Sequence, residues 1–381
     1  MDSGDGFRAL PDLAVRTLGG SVVWASDESF AERQHLLLPH AARFDPEAFG
    51  HQGKVYDGWE TRRRRGPGHD EAIVRLGVPG ILRGIVIDTS WFEGNAPPEA
   101  SVEAACVSGY PSAGELTRER WTAIVPRSPV APGRENVFPV SSPHRWTHVR
   151  LSIYPDGGVA RLRVHGEPVP EPWLLGLGCP DLAALENGGM VTGCSDMFYG
   201  SPGHLIMPGR AAVMSDGWET ARRRDGGNDW VTVALATAGT LRLAELDTSC
   251  FLHNAPGWAQ LRGSGAGPGE AAGAGGWFPL LPRTRLQPDT RHRFPLTGAP
   301  PATHVRLDIY PDGGLARLRL LGVPTPAGRE AAALRWFNAL PQEAAASAGV
   351  TAGGLPAAAA ERLAAQRPLA TAGDLPPGLR P

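Results

Sequence analysis

An internal duplication constrains this sequence more than any other feature. The string DGWETRRRR at residues 57–65 returns as DGWETARRR at residues 216–224, an offset of 159 residues. At the same offset, IDTSWF at residues 87–92 becomes LDTSCF at residues 246–251. Each copy is about 150 residues long, well beyond the 20–50 residues of a stacking repeat, and can bury its own core. The sequence therefore predicts two globular domains in tandem.

Composition and charge narrow the class of protein. Of the 381 residues, 42% are hydrophobic and 20% are charged, which is typical of a soluble globular protein. No apolar run is long enough to span a bilayer, and residues 1–6 lack the pattern of a secretory signal. The net charge of −2 gives no general attraction to nucleic acid or anionic lipid. We therefore expect a cytoplasmic protein with no nucleic-acid or membrane partner.

Known local motifs for metals and nucleophiles are missing from the sequence. The four cysteines are scattered without a C-x-x-C pair, which argues against a disulfide scaffold and a thiolate metal site. No H-E-x-x-H, G-x-S-x-G or phosphate-loop string occurs either. The spacing of residues by itself therefore indicates no metal and no cofactor.

Alternation of apolar and polar residues is the dominant pattern before residue 327. Val149, Leu151 and Ile153 alternate with polar residues, and the turn string PDGG follows at residues 155–158. We predict a β-hairpin here, with residues 159–164 as its second strand, and its counterpart in the other copy. Short strands at regular spacing predict an all-β fold of two tandem jelly-roll β-sandwiches.

The duplication also sets the domain boundaries. An offset of 169 residues near the start of the copies falls to 159 by Asp216, so the first copy holds ten extra residues, which we place within residues 44–56. After residue 326, alanine and leucine dominate and predict a helical or disordered segment. The predicted organisation is an N-terminal tail (1–9), a first repeat (10–170), a linker (171–180), a second repeat (181–326) and a C-terminal tail (327–381).

Two polar clusters return in both copies. Residues 57–70 combine acids, consecutive arginines, a histidine and a glycine-rich loop around Trp59, which we expect to be a core residue, as is Trp218. Residues 88–90 (DTS) leave an apolar strand with three polar side chains in succession. A solvated arginine face and a loop-capping aspartate are the structural interpretations. A ligand site on the rim of the sandwich is the functional one.

Together these strings resemble the allantoicases. The matching strings, in order, are LGG at 18–20, DGWETRRR at 57–64, GHD at 68–70, DTS at 88–90, GNAP at 94–97 and LSIYPDGG at 151–158. The resemblance covers residues 10–326. It implies two galactose-binding-like jelly-roll domains, homo-oligomers, and hydrolysis of allantoate to ureidoglycolate and urea in purine degradation. It also leaves a divalent ion such as Mn²⁺, held by carboxylates and His69, open as a cofactor.

Some positions depart from the family pattern. The family has His-Asp-Trp where the first copy has residues 69–71 (HDE) and the second has residues 228–230 (NDW). A histidine usually follows Asp-Thr-Ser, where this chain has Trp91 and Cys250. Histidine suits proton transfer near neutral pH and asparagine does not. We therefore predict that chemistry centres on the first repeat, with the second supplying binding groups or packing.

The implied substrate dictates the groups that a site needs. Allantoate carries one carboxylate and two ureido groups on one carbon, so an arginine should clamp the carboxylate, and an acid and a base should transfer protons. The candidate acid–base residues are His69, Asp70, Glu60 and Asp88. The candidate substrate-binding residues are Asp57, Arg62, Arg63, Thr89, Ser90, Asn95, Asp216, Glu219, Arg222, Arg223, Asp229, Asp247 and Asn254.

Two other interpretations stay open. The chain could be a non-catalytic tandem carbohydrate-binding module, because the jelly-roll scaffold also serves lectins, or a degraded enzyme kept for oligomerisation. The acid–arginine clusters favour the enzyme over the sugar binder. Residues 335–341 (RWFNALP) are weakly similar to the start of the ureidoimidazoline (OHCU) decarboxylases. We expect no second activity from this tail.

Overall fold

The computed structural model describes residues 6–51, 53–267, 270–273 and 275–380, and within them β-strands dominate. The strands of the first repeat are β1 (Ser21–Ala25), β2 (Phe49–Gly50), β3 (Gly53–Lys54), β4 (Trp59–Glu60), β5 (Asp70–Asp88), β6 (Glu99–Ala105), β7 (Thr122–Pro129), β8 (Glu135–Pro139), β9 (Arg145–Tyr154), β10 (Gly158–Val159) and β11 (Arg161–Pro168). Those of the second are β12 (Met190–Cys194), β13 (Trp218–Glu219), β14 (Asp229–Asp247), β15 (Trp258–Ser264), β16 (Phe278–Arg285), β17 (Arg291–Pro295), β18 (Ala302–Tyr310), β19 (Gly314–Leu315) and β20 (Arg317–Pro324). The prediction of two repeated β-sandwiches is confirmed.

Both repeats have the same topology. In the first, the strand order is β1-β5-β9-β6-β7, and β8 and β11 also pair with β5. In the second, the order is β12-β14-β18-β15-β16, and β17 and β20 pair with β14. The short pairs β4–β10 and β13–β19 correspond as well. The duplication seen in the sequence is therefore a duplication of one complete fold.

The long strand β5 belongs to both layers of its sandwich. Its first arm, residues 70–75, pairs with β1 and β9, and its second arm, residues 80–88, pairs with β8 and β11. The register shifts between Arg75 and Gly80, where the arms join. Asp70 pairs with Ile153 and the Ala160 N–H donates to the Asp88 carbonyl at 2.7 Å. The two ends of β5 therefore reach the same end of the sandwich.

The predicted β-hairpin at residues 147–164 is wrong. β9 pairs with β6 and with residues 70–75, 80 and 81 of β5, whereas β11 pairs with residues 80–88 of β5. β9 and β11 do not pair with each other. The turn string carries the chain from one layer to the other, and Gly158 and Val159 pair instead with Glu60 and Trp59. Alternation along each strand showed correctly which side is apolar, but it carries no information on the pairing partner.

The core forms where the alternation predicted it. Val149, Leu151 and Ile153 are completely buried, as are Trp59 and Trp218. The indole N–H of Trp59 donates to the Asp27 carbonyl at 2.7 Å, so the buried ring keeps its polar atom satisfied. The expectation that both tryptophans are core residues is confirmed.

Helices form a smaller part of the structure than strands. A four-residue helix α1 spans Ala113–Leu116, and the C-terminal segment forms α2 (Pro326–Ala339), α3 (Gln342–Thr351) and α4 (Ala357–Ala365). The described 3₁₀ helices are Gly6–Ala9, Arg16–Leu18, Arg33–Leu37, Pro172–Gly176, Leu185–Asn187, Pro202–Ile206, Met214–Asp216, Ala372–Asp374 and Pro377–Leu379. Of the two states expected for the C-terminal tail, the structure has the helical one. None of the helices in the described ranges has the length and apolarity required to cross a membrane.

The chain divides into two compact units. The first contains the first repeat to Val169 together with Ala339–Ala348 and Ala357–Ala365. The second contains Pro170–Asn338, Gly349–Pro356 and the C-terminal residues from Gln366. The predicted linker at residues 171–180 is thus grouped with the second repeat, and residues 1–5 of the predicted N-terminal tail lie outside the described residues.

Candidate active site

The candidate site lies at the end of the first sandwich where β5 both begins, at Asp70, and ends, at Asp88. The connection at residues 154–161 crosses this end and binds the flanking loops through its backbone. Gly158 N–H donates to the Asn95 carbonyl at 2.8 Å, and Thr61 N–H donates to the Gly157 carbonyl at 3.1 Å. The two polar clusters of the sequence therefore meet here.

Asp57 and Arg161 form the central ion pair of this end. The Arg161 side chain is almost completely buried, and its Nη2 donates to Asp57 Oδ2 at 2.7 Å. The Arg43 N–H donates to the same oxygen at 2.9 Å. Burial opposes ionisation of Asp57, but the Arg161 and Arg43 hydrogen bonds outweigh it, so the pKa of Asp57 is lowered. Asp57 is therefore a carboxylate at neutral pH.

A histidine lies beside this carboxylate. His35 belongs to the 3₁₀ helix Arg33–Leu37, which packs against β4. Its Nδ1 is 3.5 Å from Asp57 Oδ1, longer than a well-formed hydrogen bond. Such contacts are often loose in a free enzyme and tighten when substrate binds. Asp57 is placed to hold a proton on Nδ1, which would leave Nε2 as an acceptor.

Glu60 has the opposite electrostatic character. It follows the buried Trp59 in β4, and its Oε1 accepts a hydrogen bond of 2.6 Å from the Asn95 amide. Burial raises the pKa of Glu60, and the Asn95 hydrogen bond offsets only part of that effect. Three residues apart, Asp57 and Glu60 thus have pKa values shifted in opposite directions, as an acid–base pair requires.

The consecutive arginines have different environments. Arg62 is held by Asp27, which accepts from its backbone N–H at 2.8 Å and from its Nε at 3.1 Å. Arg63 is exposed, and within the described part of the chain its side chain has no hydrogen bond or ion pair. Of the predicted clamp residues in this repeat, Arg63 alone therefore has its full set of donors available.

Arg64 and the buried Asp70 form a second ion pair. Asp70 is 2% exposed and also accepts a hydrogen bond of 2.9 Å from the Ser26 hydroxyl. The Arg64 N–H donates to Asp156 Oδ2 at 2.7 Å, which ties the pair to the crossing connection. Through these contacts Asp70 links the loops at this end of the sandwich.

The DTS string forms a capped turn at the end of β5. Asp88 Oδ1 accepts from the Ser90 N–H at 2.8 Å, and Asp88 is the strand partner of Arg161. The completely buried Thr89 donates to the Ala131 carbonyl at 2.8 Å, which fixes the neighbouring loop. Asp88 and Thr89 lie at the same end as Asp57, but their side chains form hydrogen bonds within the turn and to the neighbouring loop.

His69 has Tyr154 and Glu71 as its neighbours. It is exposed, its ring lies 4.9 Å from that of Tyr154, and its Nε2 is 3.6 Å from Glu71 Oε2. No described contact joins it to Asp57 or Glu60.

The second repeat reproduces part of this arrangement. The Asn254 amide is hydrogen-bonded to Glu219 Oε1. Arg223 Nη1 donates to Asp229 Oδ1 at 2.6 Å, as Arg64 binds Asp70. Arg222 is exposed, and within the described residues its side chain has no hydrogen bond or ion pair.

The central ion pair is missing from the second repeat. Arg317, the counterpart of Arg161, donates to the Asp216 backbone carbonyl at 2.6 Å. The Asp216 carboxylate instead accepts from the Ala212 N–H at 2.8 Å. Asp247 Oδ1 accepts from the Ser249 hydroxyl at 2.6 Å, again within its own turn. The two ends are therefore alike in fold and different in charge arrangement.

A metal site does not emerge from these residues. Across residues 6–51, 53–267, 270–273 and 275–380, no group of three or more His, Cys, Asp or Glu side chains is arranged to hold a metal ion. His69 has only Glu71 as an acidic neighbour among the described contacts. The residues present thus do not fit the Mn²⁺ site that the resemblance left open, and no step below passes through a metal.

Comparison with known proteins agrees with this architecture. The family model described as the allantoicase repeat matches residues 11–169 and again residues 180–325. The chain belongs to the allantoicase family. A Nocardia farcinica protein named "Probable allantoicase" is 59% identical over 83% of this chain and 95% of its own length. A Streptomyces coelicolor protein with the same name is 51% identical over 86% of this chain and 89% of its own.

Solved allantoicase structures share the fold. The Saccharomyces cerevisiae allantoicase has a TM-score of 0.72 at 32% identity, covering 84% of this chain and 98% of its own. A second allantoicase structure has a TM-score of 0.71 at 34% identity, covering 82% of this chain and 93% of its own. Family membership therefore extends over both repeats.

Sequence reasoning missed several residues at this end of the allantoicase fold. Arg161 and Arg317 are single charges in the otherwise apolar strings VARL and LARL, and their return in both copies was a usable signal. His35 and His204 likewise return in HLLLP and HLIMP. The sequence prediction includes Arg223 but not its counterpart Arg64, although both follow the repeated DGWET string.

Proposed function

We propose that this member of the allantoicase family hydrolyses allantoate at the Asp57–Glu60 end of its first repeat. The products are ureidoglycolate and urea. The observation that carries the location is the side-chain arrangement at this end: Asp57 is paired with the buried Arg161 and lies 3.5 Å from His35, and Glu60 accepts from the Asn95 amide. The pKa shifts, down for Asp57 and up for Glu60, agree with it. The match of both repeats to the allantoicase model supports the enzyme over a sugar-binding module.

Glu60 is the proton donor in this proposal. The departing nitrogen of allantoate must gain a proton to leave as urea, and a carboxyl group with a raised pKa keeps that proton nearer to neutral pH. The Asn95 amide fixes the orientation of the carboxyl by binding Oε1. Its other oxygen is then free to carry the proton.

His35 and Asp57 together activate water. Asp57 stays ionised and favours a proton on the His35 Nδ1, so that Nε2 accepts the proton of the incoming water. The hydroxyl so formed becomes the hydroxyl group of ureidoglycolate. General acid and general base steps each contribute about 10²–10⁴-fold to the rate of typical enzymes.

Arg63 binds the substrate carboxylate. It is exposed, lies three residues from Glu60 and has no hydrogen bond or ion pair within the described residues. A guanidinium with all donors available can bind a carboxylate in a bidentate manner. Arg222 offers the same chemistry in the second repeat, and we propose that this repeat serves binding or packing rather than the proton transfers.

Two further properties complete the proposal. The family membership supports a homo-oligomer, which mass measurement in solution would test. The composition supports a cytoplasmic location, which fractionation of the source cells would test.

The decisive assay measures both products. Purified protein should release urea and ureidoglycolate from allantoate and release no urea from allantoin. Parallel reactions with a chelator and with added Mn²⁺ establish whether a metal contributes. If folded protein releases no urea under any of these conditions, the enzyme proposal fails.

A further inference from the structure

The first repeat carries an extra segment next to Asp57. Asp57 lies 17 positions after His40, whereas Asp216 lies 7 positions after Gly209. These positions are equivalent, because one buried arginine in each repeat donates to the backbone carbonyls of both. The ten additional residues therefore lie within residues 41–56, which include the small β2–β3 hairpin.

A ladder of aromatic rings anchors this segment to the body of the repeat. Tyr56 stacks on the buried Phe92 with ring centroids 5.0 Å apart. Phe44 stacks on Tyr56 at 5.5 Å, and Trp91 stacks on Phe44 at 5.7 Å. The Trp91 indole N–H also donates to the Ala42 carbonyl at 3.0 Å. Trp91 therefore holds the start of the extra segment by a ring contact and a hydrogen bond.

The anchored segment completes the Asp57 site. Arg43 follows Ala42 directly, and its backbone N–H donates to Asp57 Oδ2, the oxygen that binds Arg161. In the second repeat, where the segment is absent, the Asp216 carboxylate accepts from the backbone of Ala212. The longer loop thus accompanies an ion-paired carboxylate and the shorter loop a self-capped one.

Trp91 has an unusual backbone conformation. Its φ is 73°, a left-handed value that bulky side chains rarely adopt, and Cys250 at the matching position has φ 72°. The conformation is thus common to both repeats, whereas the ring contacts of residue 91 occur in the first. A residue kept in a disfavoured conformation with specific contacts suggests a local role.

We propose that Trp91 is a positioning residue: through Phe44 and Ala42 it fixes residues 41–56 so that the Arg43 N–H holds Asp57 in its ion-paired position. This inference rests on the proposed role of Asp57 in catalysis. The anchoring of the segment can nevertheless be measured without any activity.

The chain supplies a reporter for that measurement. Lys54, in the extra segment, is the only lysine in the sequence, so a lysine-specific protease cuts the chain at this one place. The Lys54 ammonium lies 5.0 Å from the centre of the Phe44 ring, within the anchored structure. When opening is rapid, cleavage tracks the open population.

Trp91→Gly is the test variant and Cys250→Gly is its matched control. Glycine adopts the positive φ freely, so the substitution removes the ring without imposing backbone strain. Ring contacts and hydrogen bonds each shift such an equilibrium by a factor of about 2–12. We expect Trp91→Gly to be cut at Lys54 at least about fivefold faster than the wild type. Trp91→Phe should be cut more slowly than Trp91→Gly, and Cys250→Gly at the wild-type rate.

The pH profile tests the consequence for Asp57. The Arg43 N–H helps to lower the pKa of Asp57. Its loss in Trp91→Gly should therefore make the low-pH fall in kcat/KM that follows protonation of Asp57 begin at higher pH. Cys250→Gly should keep the wild-type profile. Wild-type cleavage and an unchanged profile in Trp91→Gly would overturn the inference while leaving allantoate hydrolysis intact. Faster cleavage with an unchanged profile would show that the ladder anchors the loop without positioning Asp57, which also overturns it.

Discussion

At the scale of residues, environment rather than residue type separates the carboxylates of the first repeat. Asp70 is buried in an ion pair, Asp57 is ion-paired and beside a histidine, and Glu60 is half-buried and hydrogen-bonded to the Asn95 amide. Under the proposal above, the carboxyl group therefore links loops at Asp70, stays ionised at Asp57 and donates a proton at Glu60. This difference leads to two predictions.

Replacing Glu60 by glutamine should separate catalysis from stability. We expect kcat to fall by about 10²-fold or more and the fall in rate at high pH to disappear, because glutamine carries no transferable proton. Burial raises the pKa of Glu60 in the folded state, so its ionisation above that pKa opposes folding. Glu60→Gln should therefore have an unchanged or higher Tm near neutral pH.

The matched control for this variant is Glu219→Gln, which makes the same change beside Asn254 in the second repeat. Equal loss of kcat in the two variants would contradict a site centred on the first repeat. Calorimetry and steady-state kinetics on both proteins give the answer.

Two histidines are candidates for the general base, and asparagine substitutions distinguish between them. His35 lies beside Asp57, whereas His69 contacts Glu71 and Tyr154. We expect His35→Asn to lower kcat at least about tenfold, the lower range of acid–base effects, and His69→Asn to lower it much less. Kinetics with circular dichroism to verify folding decide between them, and a larger loss at His69 would return the base to the position suggested by the sequence.

At the scale of elements, close packing of the crossing connection against a phenylalanine holds each site end together. A Cβ added to Gly158 would lie 2.0 Å from the buried ring of Phe92, and one added to Gly314 would lie 2.0 Å from Phe251. Neither ring can move far, because each is completely buried. The β4–β10 and β13–β19 pairs therefore depend on glycine at these places.

Alanine at either glycine should destabilise its repeat. Overpacking of a filled core costs about 1–3 kcal/mol, so Gly158→Ala and Gly314→Ala should each lower the free energy of unfolding by about that amount. Gly94→Ala is the control, since a Cβ there meets nothing within 4 Å. Chemical denaturation of the three variants measures the difference, and a loss at Gly94 as large as at Gly158 would refute the packing argument.

At the scale of the whole molecule, the C-terminal helices are part of the compact units. Phe337 is completely buried and Ala345 likewise, and the Arg367 Nη1 donates to the Phe337 carbonyl at 3.1 Å. The Glu343 carboxylate pairs with Arg120 of the first repeat, on the surface. None of the proposed catalytic groups comes from this segment.

Removal of residues 327–381 should therefore lower stability and spare the chemistry. We expect Tm to fall by roughly 2–4 °C for each kcal/mol of packing lost, with kcat per folded molecule unchanged well below Tm. Scanning calorimetry and kinetics on the truncated protein test both parts. A soluble, folded truncation without activity would show that the tail contributes to the site.

The sequence by itself determined the duplication, the strand content, the buried tryptophans and the family. Each of these follows from local alternation or from strings repeated along the chain, which need no knowledge of the partners. The DGWET string with its arginines also lies at the end of the sandwich where we propose the site.

Only the tertiary structure decided which polar residues meet. β5 bends into two arms, so Asp70 and Asp88, 18 residues apart, reach the same end. β9 pairs mainly with the first arm and β11 with the second. His35 and Arg161 join Asp57 from distant parts of the chain. Because consecutive strand residues face opposite sides and pairing partners are non-local, spacing along the chain cannot assign them to one site.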